Sequence, residues 1–192
     1  MTPYRYNVQT HVGLRRKVNE DAVLALPDHN IWVVSDGMGG HEAGDLASRL
    51  VTDAVAMIPV GLDPTARMHA LRDAIQSAHR AIIAEAEARG RGVIGATVVA
   101  LMMANRHFVG LWAGDSRIYR YRDGTLAQMT RDHSLLNHYL DIGAIGPDEV
   151  GLPVDKSPRI VALDALLDGI LEHLEGSAER IFNVAQTVDL EL

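Results

Sequence analysis

The spacing of apolar residues changes along this chain, and that change limits the folds that it can adopt. Two short apolar runs, at residues 22–26 and 31–35, have strand length and flank a turn. Apolar residues then recur at helical intervals of three and four over 42–89. Nearly continuous apolar runs return at 93–103 and 107–112. Strands, two helices and further strands predict an α+β layered domain.

Two helices are predicted in the first half of the chain, at residues 42–58 and 64–89. The apolar face of the first consists of Leu46, Leu50, Val51, Ala54 and Met57. The apolar face of the second consists of Met68, Leu71, Ile75, Ala78 and Ile82. Asp63 before Pro64 is a typical N-cap, and Gly90 is a typical end for a helix.

The second half continues as an antiparallel meander and then becomes helical. Asp123-Gly124 predicts a hairpin turn between strands at 116–121 and 125–129. A helical pattern begins at residue 134, and two amphipathic helices are predicted in the tail. The first carries apolar residues from Leu163 to Leu174, and the second carries Ile181, Val184 and Val188.

Composition and charge exclude several classes of protein. Apolar residues make up 47% of the 192 residues and charged residues 22%, which is enough for a buried core in one domain. The net charge of −7 argues against nucleic acid as a partner. Cysteine is absent, which excludes disulfides and thiolate metal sites. With no secretory signal and no apolar run of about 18 residues, we expect a cytoplasmic protein without a membrane span.

Acidic residues stand at the ends of two predicted strands. Glu20 and Asp21, after Asn19, precede the strand at 22–26, and Asp36 follows the apolar run that begins at Ile31. Carboxylates without cysteine are typical of Mg²⁺ or Mn²⁺ sites, and the glycines after Asp36 allow the backbone to expose carbonyl ligands. Alternatively, Asp36 begins a simple turn and Glu20 and Asp21 form a solvated strand end. Spacing alone leaves both interpretations open.

Asp115 is a further candidate ligand. It follows Gly114 where an apolar strand meets a polar one, although a β-bulge or turn explains the same pattern. The sequence contains neither a Gly-x-x-x-x-Gly-Lys-Ser/Thr phosphate loop nor a strand-to-helix dinucleotide fingerprint. Nucleotide binding is therefore disfavoured.

These motifs stand in a fixed order between residues 8 and 146. They are Thr10-His11-Val12-Gly13, Arg16, Asn19-Glu20-Asp21, Val34-Ser35-Asp36-Gly37-Met38-Gly39-Gly40-His41, Ala43-Gly44, Ile94-Gly95-Ala96-Thr97, Gly114-Asp115-Ser116-Arg117, and Leu126 to Thr130 with Asp132-His133-Ser134. In this order they resemble the metal-dependent Ser/Thr protein phosphatases of the type-2C (PPM) family, especially the bacterial members.

The resemblance implies a sandwich of two antiparallel sheets flanked by helices. It also implies that a water activated by two or three Mn²⁺ or Mg²⁺ ions hydrolyses phosphoserine and phosphothreonine in proteins. By position, Asp36 bridges two ions, while Glu20 and the carbonyl of Gly37 hold one of them. Asp21 orients the coordinated waters, and Asp115 belongs to a looser third metal site.

Arg16 matches the family's arginine that binds the substrate phosphate, so it joins Asp36 as a catalytic candidate. Its alternative role is that of a solvated charge beside Arg15 and Lys17. Met38 stands where some members have a histidine that protonates the leaving group, so this role falls to water or another group, with His41 as one candidate. The remaining histidines, such as His69 and His79, are expected at the surface.

The resemblance ends at Gly146. Two late aspartates that complete a central metal site in the family have no counterpart, because neither Asp168 nor Asp189 follows a predicted strand. We therefore expect a single domain over 1–192, with a family-like part at 1–146. The C-terminal part is expected to be shortened or divergent, with a helical tail at 147–192.

Three functions remain open. The first is a phosphatase acting on phosphorylated proteins that are substrates of a Ser/Thr kinase. The second is a catalytically impaired pseudophosphatase that binds phosphoproteins or a regulatory partner. The third is a small-molecule phosphohydrolase, which would need a deep selective pocket. Hydrolysis of a small phosphoester separates the first from the second.

Overall fold

The computed structural model describes residues 4–14, 16–39, 43–90, 93–104 and 107–133, together with the backbone of 180–183 and 188–191. Within these ranges the helices are α1 (Ala43–Ala56) and α2 (Pro64–Arg89). The strands are β1 (Arg5–Val8), β2 (Asp21–Leu26), β3 (Ile31–Met38), β4 (Gly95–Ala96), β5 (Val98–Ala104), β6 (His107–Ala113), β7 (Ile118–Arg122), β8 (Thr125–Gln128), β9 (Arg180–Asn183) and β10 (Val188–Glu191).

The described strands form two antiparallel sheets. One has the order β2-β3-β5-β6, with β4 paired to the end of β3, and the other has the order β1-β10-β9-β7-β8. Helices α1 and α2 pack on the first sheet. The predicted α+β sandwich flanked by helices is therefore confirmed.

The prediction of a helix across Ile181, Val184 and Val188 is wrong. Strand β9 lies between β7 and β10, and β10 pairs with β1 from the other end of the chain. Short apolar segments fit either period, and here pairing with strands distant in sequence decides the structure. The predicted helices that begin at residues 134 and 163 lie outside the described residues, as does Asp168.

The first sheet is buried on both faces, which explains its continuous apolar runs. Ile31 and Val33 of β3 pack in a core with α1 and α2. Trp32 and Val34 point to the opposite face and pack with Ile118 of the second sheet. Side chains alternate along a strand, so a strand between two layers needs apolar residues at every position.

Helix α1 buries part of the predicted face together with small residues that were not predicted. Its buried residues are Ala43, Gly44, Ala47, Ser48, Val51, Thr52 and Val55. Met57, which was expected in the core, is 82% exposed and lies just beyond the helix end. Val51 is buried as predicted, and Leu50 and Ala54 pack partly buried against the core. Small side chains at Gly44 and Ser48 extend the buried face beyond the predicted residues.

Helix α2 begins and ends as predicted. Its residues Leu71, Ile75, Ala78 and Ile82 are buried, and the Asp63 carboxylate accepts hydrogen bonds from the backbone amides of Thr65 (2.9 Å) and Ala66 (3.0 Å). Gly90 ends the helix in the left-handed conformation (φ 60°).

Asp63→Ala is expected to lower the free energy of unfolding by about 1 kcal/mol, because two amides at the start of α2 lose their acceptor. Urea denaturation measures this change, and Asp63→Ser is the control because serine is also a good N-cap. Equal losses in both variants would contradict the capping role.

In the part of the chain that the structure describes, neither helix combines the length and apolar character required to cross a membrane.

Candidate active site

Two aspartates face each other across the first pair of strands. Strand β2 begins at Asp21, which stands directly opposite Asp36 near the end of β3. Like charges at directly opposed positions destabilise an antiparallel pair. The fold thus holds two carboxyl groups together at a site where their repulsion is unfavourable unless a proton or a cation reduces it.

The electrostatics of Asp36 reflect this crowding. Burial raises the pKa of the Asp36 carboxyl group, and the charge of Asp21, its hydrogen bond and the charge of Asp115 raise it further, to about 6. The Arg16 charge acts in the opposite direction. Asp21 and Asp115, which were predicted from separate motifs, therefore both lie within electrostatic reach of Asp36.

In EDTA, Asp36→Asn is expected to raise the free energy of unfolding at pH 8 by about 1–2 kcal/mol. A rise in pKa from 3.8 to about 6 corresponds to about 3 kcal/mol, which solvent screening reduces at this half-buried group. Because the folded-state pKa is raised, the stability from protonated Asp36 is present below about pH 4 and lost as the pH rises through 6. Urea denaturation at pH 4 and pH 8 tests this. A variant that gains nothing at pH 8 would contradict the crowding.

Glu20 and Gly37 share a tight cradle against the first turn of α1. A Cβ atom placed on Gly44 would lie 2.6 Å from Glu20 Oε1 and 2.9 Å from the carbonyl oxygen of Gly37. The amide of Gly37 donates to the carbonyl of Glu20 at 2.9 Å. One carboxylate oxygen and one carbonyl oxygen thus converge where only a glycine on α1 leaves room.

Arg16 forms an ion pair with Glu20, four residues further along the chain. The Arg16 side chain is 62% exposed, whereas that of Glu20 is 16% exposed. The guanidinium group is therefore largely exposed to solvent beside a carboxylate that it partly neutralises.

The loop before β2 is held by side-chain hydrogen bonds. The side-chain Nδ2 of Asn19 donates to Thr10 Oγ1 at 2.7 Å, and Asn19 Oδ1 accepts from the backbone amide of Asp21 at 3.2 Å. This second bond is an Asx turn, a common way to fix a chain as it enters a strand. Asn19 therefore positions Glu20 and Asp21 rather than taking part in the acidic cluster.

Asp115 lies in the connection between β6 and β7, which a later segment clamps. Arg117 binds both oxygens of Asp132, with Nε at 2.7 Å and Nη2 at 2.5 Å. The His133 amide donates to the Gly114 carbonyl at 2.8 Å, and the Gly114 amide donates to His133 Nδ1 at 3.2 Å. Burial lowers the pKa of His133, which favours the neutral ring that this acceptor role requires.

The remaining residues considered in the sequence lie in several different places. His69 and His79 are exposed on α2, as predicted. Met38 ends β3, and its methyl group lies 3.3 Å from the position that a Cβ on Gly95 would take. His41 lies outside the described residues, and Asp189 belongs to β10 rather than following a strand.

The donors gathered here fit a hard divalent cation. All are oxygens, from carboxylates and one carbonyl, and Mg²⁺ sites commonly combine one or two carboxylates with several waters. Within the described ranges, no three histidine or acidic side chains converge closely enough to form a complete metal cage.

The structure also identifies residues to which sequence reasoning gave no role. Thr97, between β4 and β5, bonds to Asp36 through both its backbone and its hydroxyl group. Gly44 supplies the open side of the cradle at Glu20. Both belong to motifs that matched the family, but a threonine between two strands and a glycine in a helix have no chemical signature of their own.

Comparison with known proteins supports the resemblance. The Ser/Thr protein phosphatase PstP of Mycobacterium tuberculosis is 36% identical over 149 residues, which are 76% of this chain and 28% of that protein. The structure of PppA, described as a key regulatory component of T6SS in Pseudomonas aeruginosa, is 44% identical with a TM-score of 0.69. That match covers 72% of this chain and 61% of PppA.

The structure of the PstP catalytic domain in complex with two manganese ions is 30% identical, with a TM-score of 0.66, and covers 94% of this chain and 76% of that domain. This chain thus spans less than a third of full-length PstP and about three fifths of PppA. The family model described as protein phosphatase 2C matches residues 12–139, about two thirds of the chain. The chain belongs to the protein phosphatase 2C family.

Proposed function

We propose that this chain hydrolyses phosphoserine and phosphothreonine in proteins, with Mn²⁺ or Mg²⁺ as cofactor. The observation that carries the proposal is that Asp21 stands opposite Asp36 while Asp115 also lies within electrostatic reach of Asp36. Burial and the repulsion from these two carboxylates raise the pKa of Asp36 to about 6. A divalent cation relieves that repulsion. The manganese ions of the PstP complex support the choice of metal for this chain.

The roles proposed for the acidic residues are those that the family resemblance implies for their positions. Asp36, near the end of a buried strand, would contact both central ions. Glu20 and the Gly37 carbonyl would hold one ion in their cradle. Asp21 would orient coordinated water, and Asp115 would contribute to a looser third site. Bound divalent cations lower the pKa of coordinated water and so supply the nucleophile near neutral pH.

Arg16 is proposed to bind the phosphate of the substrate. Its planar guanidinium group can form two parallel hydrogen bonds to phosphate oxygens, and its exposure leaves it accessible. Its ion pair with Glu20 implies competition, because a cation that neutralises Glu20 would free Arg16 for the substrate. Substrate binding would thus strengthen once the cradle holds its ion.

Arg16→Gln is expected to raise KM for a phosphopeptide about 10- to 100-fold with a smaller change in kcat. This range follows from the loss of a charged hydrogen bond worth about 1.5–3 kcal/mol. Steady-state kinetics measure the effect, and Lys17→Gln, a neighbouring exposed cation, is the control. Equal KM values in both variants and the parent chain would contradict the assignment.

The substrates would be proteins phosphorylated by a Ser/Thr kinase, and the lack of cysteine favours a cytoplasmic setting. The test is phosphate release from a phosphothreonine peptide by the 192-residue chain with Mn²⁺, against the same reaction in EDTA. Metal-dependent turnover supports the proposal. Binding of the peptide by a folded chain without turnover would overturn it and would indicate a phosphoprotein-binding module.

A further inference from the structure

Thr97 lies beside the end of β3 that carries the candidate ligand Asp36. Gly37 pairs with Ala96 and Val34 pairs with Val99, so Asp36 stands opposite Thr97 on one side and opposite Asp21 on the other. The Thr97 amide donates to the Asp36 carbonyl at 2.8 Å. Asp36 is therefore held between an acidic neighbour and a threonine.

The second bond of this pair departs from the regular ladder. The Asp36 amide donates to Thr97 Oγ1 at 3.0 Å instead of to a backbone carbonyl. The carbonyl of Thr97 accepts instead from the Ser35 hydroxyl at 2.6 Å. At Asp36, the hydroxyl groups of Thr97 and Ser35 thus form hydrogen bonds that backbone groups form in a regular antiparallel ladder.

The same hydroxyl connects Asp36 to the loop that contains Asp115. Thr97 Oγ1 lies 2.7 Å from Oγ of Ser116, a residue that is only 4% exposed. The methyl group of Thr97 packs against the backbone of the same loop, since its Cγ2 lies 2.6 Å from the position that a Cβ on Gly114 would take. Gly114 has a φ of +106°, which disfavours other residues there.

We infer that Thr97 is a positioning residue for the metal site, because its hydroxyl group fixes the Asp36 strand end relative to the Asp115 loop. This inference rests on the proposed function. Partners that orient metal ligands without touching the metal commonly change metal affinity 10- to 100-fold when they are removed. Thr97 acts only through Asp36 and Ser116.

Two substitutions separate the hydroxyl group from the methyl group. Thr97→Val keeps the shape and the methyl contact with Gly114 but leaves the Asp36 amide and the Ser116 hydroxyl without their partner. Thr97→Ser keeps the hydroxyl group and loses the methyl group. Thr52→Val is the matched control, because Thr52 is a buried threonine of α1 whose hydroxyl bonds locally to the Arg49 carbonyl at 3.1 Å.

The experiment is calorimetric titration of each variant with Mn²⁺ alone, followed by steady-state hydrolysis of p-nitrophenyl phosphate. Thr97→Val is expected to lose about 10-fold or more in Mn²⁺ affinity and in kcat, with KM changed less than about threefold. Thr97→Ser is expected to stay within about threefold of the parent chain. Thr52→Val is expected to bind Mn²⁺ unchanged even if it unfolds more easily.

Three outcomes would overturn the inference. A folded Thr97→Val with the Mn²⁺ affinity and kcat of the parent chain would do so, as would equal losses in Thr97→Ser and Thr97→Val. If Thr97→Val does not fold, Ser116→Ala takes its place, because it removes only the hydrogen bond between the two hydroxyl groups. Ser116→Ala is then expected to lower Mn²⁺ affinity, and an unchanged affinity in this variant is the third outcome. A folded parent chain that binds no Mn²⁺ would instead overturn the proposed function, and this inference with it.

Discussion

Asp36→Ala is expected to lower kcat/KM for p-nitrophenyl phosphate with Mn²⁺ by about 10³-fold or more, in the range seen when a central catalytic residue is removed. Asp36 is the residue on which the candidate ligands converge, with Asp21 opposite and Asp115 within electrostatic reach. Without it, the activated water would lose the carboxylate proposed to contact both ions.

The loss should not come from unfolding. Removing Asp36 relieves repulsion with Asp21, so the metal-free variant is expected to be at least as stable as the parent chain. Asp53→Ala, at an exposed acidic position on α1, is the matched control and should leave kcat/KM unchanged. Metal-dependent turnover by Asp36→Ala at the parent rate would contradict the assignment of the site.

Gly37→Ala is expected to destabilise the fold by about 3 kcal/mol or more, which is large for a single added methyl group. A Cβ at this position would lie 1.8 Å from the carbonyl oxygen of Gly44 and 2.9 Å from that of Glu20. Both are backbone atoms, so relief would require α1 to move away from β3. Urea denaturation in EDTA measures this effect separately from metal binding.

Gly95→Ala is the control for this overlap. Its Cβ would meet the methyl end of Met38 at 3.3 Å, a flexible group that can move aside. We expect this control to lose less than about 1 kcal/mol. A Gly37→Ala variant as stable as Gly95→Ala would show that α1 does not pack as closely on β3 as the structure indicates.

The elements that follow from local rules could be predicted from sequence. Helix α2 combines regular apolar spacing with an N-cap at Asp63 and a terminal glycine at Gly90, and four of its five predicted core residues are buried. The strands of the first sheet follow from their continuous apolar runs. Each of these signals lies within a short window of the chain.

The elements that depend on distant partners could not be predicted. Strand β10 pairs with β1, which lies at the opposite end of the sequence. The residues around either strand therefore do not reveal its partner. The apolar residues near 181–188 fit a helical period as well as a strand. For α1, the buried face extends to small residues such as Gly44 and Ser48, which a search for large apolar residues misses.

The sequence indicated candidate ligands but not how the fold arranges them. The motifs indicated Asp21, Asp36 and Asp115, but the register that places Asp21 opposite Asp36 is a property of the sheet. The role of Thr97 depends on a hydroxyl group that enters the ladder between two strands. Such contacts arise from tertiary structure, so spacing along the chain does not reveal them.

The central claim is that Asp36 organises a divalent metal site, and calorimetric titration of the 192-residue chain with Mn²⁺ tests it most directly. We expect saturable binding by the parent chain and loss of that binding in Asp36→Ala. A folded parent chain that does not bind Mn²⁺, or an Asp36→Ala variant that binds it equally well, would contradict the claim.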